Sequence, residues 1–131
     1  MMRLWIFLGG LNGFVAIVAG AVGAHILQNR ISPDQLKLFA EAANYQLVHA
    51  LALIGAGLLS AQVQPAGHKI INGAGAAFSL GILLFCGALY GLAIDGPGSI
   101  HWMAPFGGIC LMSGWLALAA SAIFIKKDSK Q

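Results

Sequence analysis

The sequence predicts an all-α membrane protein, an antiparallel bundle of four transmembrane helices. Three observations carry this. Charged residues are 8% of the chain, against about 25% in soluble domains, too few to cover a water-facing surface. Mean hydropathy is +0.83, with 59% hydrophobic residues. Four nearly charge-free apolar stretches, each long enough to cross a hydrocarbon core as a helix of about 20 residues, use up most of the 131 residues. A single transmembrane domain, residues 1–131, is expected, with no room for a separate soluble one.

The first span covers about residues 4–27. Arg3 before it and Ala19-Gly20-Ala21 within it imitate a secretory signal. The apolar run is longer than the usual 7–15 residues of such a signal and holds Asn12, so it is expected to be a retained helix. The second helix opens at Ser32-Pro33-Asp34: serine caps, proline suits the first helical position, and aspartate complements the helix dipole. Its pattern runs to about residue 61, with the membrane span from about 42. At 1.5 Å per residue the whole helix is about 40 Å long, so its first turns project outward. Leu36, Phe39, Ala40, Ala43 and Leu47 share one side at helical spacing, and Asp34, Lys37, Glu41 and Asn44 another.

Gln62 to Lys69 is a polar turn containing Pro65 and Gly67. The third span covers about residues 70–94, and Asp95-Gly96-Pro97-Gly98 is a turn signal. The fourth covers about residues 105–125, from Pro105 to the lysines beyond Ile125. Short connections make sequential helices antiparallel neighbours. Both termini then share a side with Arg3, Lys69, Lys126, Lys127 and Lys130, against Arg30 and Lys37 opposite. That asymmetry puts both termini in the cytoplasm. Trp5 and Trp102 fall near span ends, where indoles often sit at the interface, and Trp115 falls deeper, between helices.

Lipid tails are as apolar as leucine, so close packing at small residues drives helix association in a bilayer. The chain has 18 glycines, and small residues recur every four positions: Gly9 and Gly13, Ala16 to Ala24, Ala52 to Ser60, Gly73 to Gly81, Gly87 and Gly91, Ser113 to Ser121. Packing within the chain accounts for all of these series, with contact to a second copy as the alternative.

Polar side chains inside membrane helices are costly and are functional suspects. Glu41, Tyr45 and His49 recur every four residues and line one face of the second helix. His25 near the outer end of the first span and Tyr90 in the outer half of the third complete a candidate polar cluster in the outer half of the bundle. The inner half reads as almost purely apolar. Two readings stay open. The cluster is an outward-facing pocket, where histidine binds a ligand or moves a proton, or it is a set of hydrogen bonds tying helices together. In the second reading His25 approaches the Tyr45–His49 face, with Tyr90 near it.

No catalytic constellation occurs, and no spacing supports a metal site or a cofactor. Cys86 and Cys110 lie in apolar stretches and are expected to be free thiols. A net charge of +3 flanks the spans instead of forming a basic stripe, so nucleic acid is not an expected partner.

Four segments resemble the signatures of one family. Gly20-Ala21-Val22-Gly23-Ala24-His25 resembles its first, with valine at Val22 where phenylalanine is expected. Tyr45-Gln46-Leu47-Val48-His49-Ala50 and Leu84-Phe85-Cys86-Gly87-Ala88-Leu89-Tyr90 resemble the second and third, and Pro105-Phe106-Gly107-Gly108 with Gly114-Trp115 the fourth. The family is the domain of unknown function numbered 423, small bacterial membrane proteins related to the transmembrane protein 256 group. The resemblance implies a bacterial inner-membrane location and a four-helix topology, and supplies no substrate, cofactor or mechanism. The expected function is that of a small, non-enzymatic accessory or structural membrane component. Its partners would be membrane lipids, a second copy or another membrane protein. The alternative is transport, proton handling or small-ligand binding around His25 and His49.

Overall fold

The structure is a computed structural model that describes residues 1–96 and 98–126. Pro97 of the expected turn, and Lys127 and Lys130 of the basic asymmetry, lie outside the described residues. Four helices succeed one another along the chain: α1 (Met2–Leu27), α2 (Pro33–Leu59), α3 (Pro65–Ala93) and α4 (Gly98–Phe124), each long and apolar enough to cross a membrane. Among the described residues the one extended pairing is an isolated bridge between Val63 and Ile125.

Local chemistry sets the helix ends. The Ser32 hydroxyl accepts from the Gln35 backbone N–H at 3.2 Å, and the Gln35 side chain accepts from the Ser32 N–H at 2.9 Å. This capping box satisfies two orphan donors at the start of α2. The same Gln35 side chain donates to Asp95 Oδ1 at 2.6 Å, tying the start of α2 to the loop after α3. Asp95 has φ 60°, and the Gly96 N–H reaches back to the Gly91 carbonyl at 2.7 Å. A left-handed residue with this long backward bond ends a helix sharply. α3 and α4 each begin earlier than the apolar pattern, because single 3₁₀ turns at Pro65–Gly67 and Gly98–Trp102 continue directly into them.

Two single π turns interrupt the α-helical ladder, Gly23–Leu27 in α1 and Ile82–Cys86 in α3. A π turn carries more residues per turn than an α turn, so it rotates the residues beyond it out of the 3.6-residue register.

Residue pairings give the course of the helices. Between α1 and α2, Ile6 faces Gly57, Gly9 faces Ala50 and Ile54, Asn12 bonds Gln46, and Gly23 faces Phe39. Numbers rise along one helix as they fall along the other. The same holds for α2 and α3, where Phe39 meets Tyr90, Tyr45 meets Phe85 and His49 meets Phe78. It holds again for α3 and α4, where Phe78, Gly81 and Phe85 face Gly114, Leu111 and Gly107. One end of the molecule gathers basic residues: Lys126 donates to the Ala61 carbonyl at 3.3 Å, and Met1, Met2, His68 and Asn72 border one groove there.

The core centres on Trp5, Leu53, Phe78, Ile82, Cys86 and Leu111. α2 is the central helix, with 50% of its apolar span buried against 17% for α1 and 22% for α4. Trp5 departs from the expected interfacial placement. It is 5% exposed, its ring presses on Gly75, where an added Cβ would stand 2.5 Å from it, and its Nε1 donates to Asn72 Oδ1 at 2.9 Å. The half of the bundle nearer the basic end is therefore not purely apolar. It holds this tie, and it holds Ser60 and Ser121, whose hydroxyls donate to Gly57 and Leu118 carbonyls of their own helices.

Candidate functional site: a polar network between helices

The site arises where α2 places its inward polar residues. Gln46 and His49 are buried near the middle of this helix. A buried amide or imidazole in hydrocarbon costs several kcal/mol unless bonded. Both are bonded, each to different helices.

Gln46 joins three helices. Its Oε1 accepts from the Tyr90 hydroxyl of α3 at 2.8 Å, and its Nε2 donates to Asn12 Oδ1 of α1 at 3.0 Å. Asn12 in turn donates to the Leu8 carbonyl at 2.9 Å. Phe39 packs edge-on against Tyr90, with ring centroids 4.9 Å apart, and shields the phenol end of the chain.

His49 joins α2 to α4. Its Nε2 accepts from the Trp115 indole at 3.1 Å, and its Nδ1 lies 2.7 Å from the Tyr45 carbonyl. An indole N–H only donates, so Nε2 must be unprotonated, and a carbonyl only accepts, so Nδ1 must carry the proton. The two partners assign a single neutral tautomer and occupy both nitrogens. Phe78 completes the setting, with ring centroids 5.8 Å from His49 and 5.4 Å from Trp115.

Of the expected cluster, the structure brings Tyr45 and His49 together in a stack with centroids 6.0 Å apart, and places Tyr90 one Gln46 away. Tyr45 is half-exposed, and its ring leans on Phe85 at 4.8 Å. His25 and Glu41 are exposed, and among the described residues neither takes part in the network. His25 lies two positions after Gly23, which faces Phe39 of α2, and so turns to the opposite side of α1. Gln46, Asn12 and Trp115 supply the bonds instead. Their signal in the sequence is polarity at mid-span, where a partner is obligatory.

Tyr45, His49, Asn44 and Val48 border a shallow cleft of about 270 Å³. Every buried side-chain nitrogen or oxygen among the described residues has a hydrogen-bond partner. Among the same residues no three His, Cys, Asp or Glu side chains are grouped to hold a metal ion. Cys86 is a buried free thiol and Cys110 a half-buried one.

Residues 19–108 match the family model described as "Protein of unknown function (DUF423)". The chain is similar to a UPF0382 membrane protein of Staphylococcus saprophyticus, 36% identical over 117 residues that cover 89% of this chain and 94% of the relative. It is also similar to the UPF0382 membrane protein YwdK of Bacillus subtilis, 30% identical over 93% of this chain and 98% of the relative. A UPF0382 membrane protein of Haemophilus influenzae is 30% identical over 91% and 93%. No solved structure matches the chain.

Proposed function

The chain belongs to the DUF423 family of membrane proteins, and from that premise we propose that it is a non-enzymatic accessory component of the bacterial cytoplasmic membrane, acting by contact with other membrane proteins. The observation that carries this reading is the commitment of the polar groups. Nε2 of His49 and both ends of the Gln46 amide are spent on helix-to-helix ties, and His49 Nδ1 is held by the Tyr45 carbonyl of its own helix. A site for proton transfer or catalysis keeps a group available to its substrate; here the central groups fasten the bundle. The bundle is read as antiparallel, in line with the opposed course of the paired residues. Arg3, Lys69 and Lys126 gather at the end of the bundle that holds the α2–α3 connection. The positive-inside bias of such residues puts that end, with both termini, in the cytoplasm.

The test is recovery of partners in mild detergent from cells expressing the tagged chain at native level. The reading expects a reproducible protein partner, this chain included. Recovery of none contradicts it. Topology is checked separately with a C-terminal reporter, expected to be active only in its cytoplasmic form.

The cleft beside Tyr45 and His49 favours one second reading, binding of a small ligand from the outer leaflet. Flux or binding in proteoliposomes that is lost in His49→Ala, with the fold retained, would support it over the first.

A further inference from the structure

The basic end of the bundle holds a groove of about 290 Å³, bordered by Met1, Met2, Ser60, Ala61, His68 and Asn72. That is several times the roughly 30 Å³ that one water occupies. Three polar groups at this groove are only partly used. Asn72 Oδ1 accepts from the Trp5 indole at 2.9 Å, while among the described residues its Nδ2 makes no hydrogen bond. Every buried side-chain nitrogen among those residues has a partner, so Asn72 Nδ2 must reach the surface that the groove forms. His68 Nε2 lies 3.1 Å from the Ser60 carbonyl. A carbonyl only accepts, so Nε2 donates, and among the described residues Nδ1 has no partner. At the rim, Lys126 Nζ donates to the next carbonyl, that of Ala61, at 3.3 Å, which uses one of its three donors. The carbonyls that close α2, where cations are favoured, thus hold an imidazole and an ammonium side by side at the groove.

The charge distribution agrees. Arg3 and Lys69, each next to a groove residue in sequence, are exposed at the same end. The described carboxylates belong to the other end: Asp34 opens α2, Glu41 follows within the first third of that helix, and Asp95 bonds Gln35. The groove lies where α1 and α3 begin their spans, and basic pockets between transmembrane helices at such a level take lipid headgroups. We propose that the groove binds a phosphate anion, the phosphodiester of an anionic phospholipid or free phosphate, with Asn72 Nδ2, His68 and Lys126 as its donors. Closing the end of α2 accounts for one donor each on His68 and Lys126. It accounts neither for their remaining hydrogen-bonding capacity nor for the open Asn72 amide. The site stands whether or not the chain acts by contact with other membrane proteins.

The test is native mass spectrometry of the full chain from mild detergent, with phosphatidylglycerol or phosphatidylcholine added in equal amounts. The expected result is retention of phosphatidylglycerol several-fold above phosphatidylcholine. Asn72→Asp keeps an oxygen for the Trp5 indole and replaces the open donor by a group that repels phosphate. Lys126→Gln alters an exposed side chain, and it alone decides should Asn72→Asp unfold the bundle. Each should cut retention several-fold. Arg30→Gln removes the same charge from an exposed position at the opposite end and should leave retention unchanged. The second arm adds millimolar inorganic phosphate to the chain in phosphatidylcholine alone and reads the thermal unfolding midpoint, which a ligand of the folded state raises. Selective lipid retention assigns the headgroup as the source. A raised midpoint without it, lost in Lys126→Gln, assigns the free anion. No selective retention together with no response to phosphate overturns the proposal. So does binding that Lys126→Gln leaves intact, or that Arg30→Gln lowers as much as Lys126→Gln does, since the attraction would then be diffuse.

Discussion

The indole of Trp115 on α4 donates to Nε2 of His49 on α2 at 3.1 Å, and this bond fixes the protonation of a histidine held between helices. Trp115→Phe keeps an aromatic ring against Phe78 and removes the donor, with some loss of ring volume. Interhelical bonds in membranes are worth about 0.6 kcal/mol on average and at most about 1.7, so the variant should be less stable by that order. Nitrogen NMR of the labelled protein should find His49 neutral with its proton on Nδ1. A proton on Nε2 would be incompatible with the bond.

Gln46 holds α1, α2 and α3 through two bonds, whereas His25 and Glu41 are exposed. Gln46→Leu strands the Tyr90 hydroxyl and the Asn12 carbonyl oxygen, and a stranded buried group costs about 1–3 kcal/mol. His25→Ala and Glu41→Ala should stay within about 0.5 kcal/mol of the parent. Equilibrium unfolding in detergent micelles measures all three. Equal losses at His25 and Gln46 would mean that the network has been assigned to the wrong residues.

The contrast between Gln46 and His25 marks the limit of what is legible in the sequence. Span number and order come from hydropathy and length, and the start of α2 comes from Ser32-Pro33-Asp34. The face of α2 is also legible, because Tyr45 and His49 repeat at helical spacing. Their partners are not. Partners depend on how helices cross and slide, which the sequence pattern leaves open. Gln46 lies one position from the Tyr45 stripe and points at different neighbours. Depth alone puts His25 in the candidate cluster; at 3.6 residues per turn it stands on the side of α1 opposite Gly9 and Gly23, the glycines that face α2. The distance of Trp5 from the span end suggests the interface, but the missing side chain at Gly75 opens a slot that draws the ring inside.

Glycine substitutions separate tight contacts from open positions. Gly75→Ala drives a Cβ into the Trp5 ring, and overpacking of this kind costs about 1–3 kcal/mol. At Gly73 and Gly87 an added Cβ meets nothing within 4 Å, so alanine there should leave stability unchanged or raise it by up to about 1 kcal/mol through helix propensity. Thermal unfolding of the purified variants compares them. Destabilisation at Gly87 as large as at Gly75 would place a further contact on that face.

Cys86 and Cys110 are free in the folded chain. Intact mass should therefore be the same before and after reduction. A maleimide probe should label Cys110 faster than the buried Cys86. A mass gain of two hydrogens per chain on reduction would reveal a bond between them.

The claim that polar side chains fasten this bundle is tested most directly by a double-mutant cycle on Tyr90 and Gln46, whose bond is 2.8 Å long. Tyr90→Phe removes the hydroxyl and leaves the ring against Phe39; Gln46→Met removes the amide at similar volume. Unfolding of the parent, both single variants and the double variant in one detergent yields the coupling. The account predicts about 0.6 kcal/mol, and up to about 1.7, of favourable interaction lost once and not twice. Effects that simply add, as distant sites do to within about 0.3–0.5 kcal/mol, with single variants as stable as the parent, would contradict it.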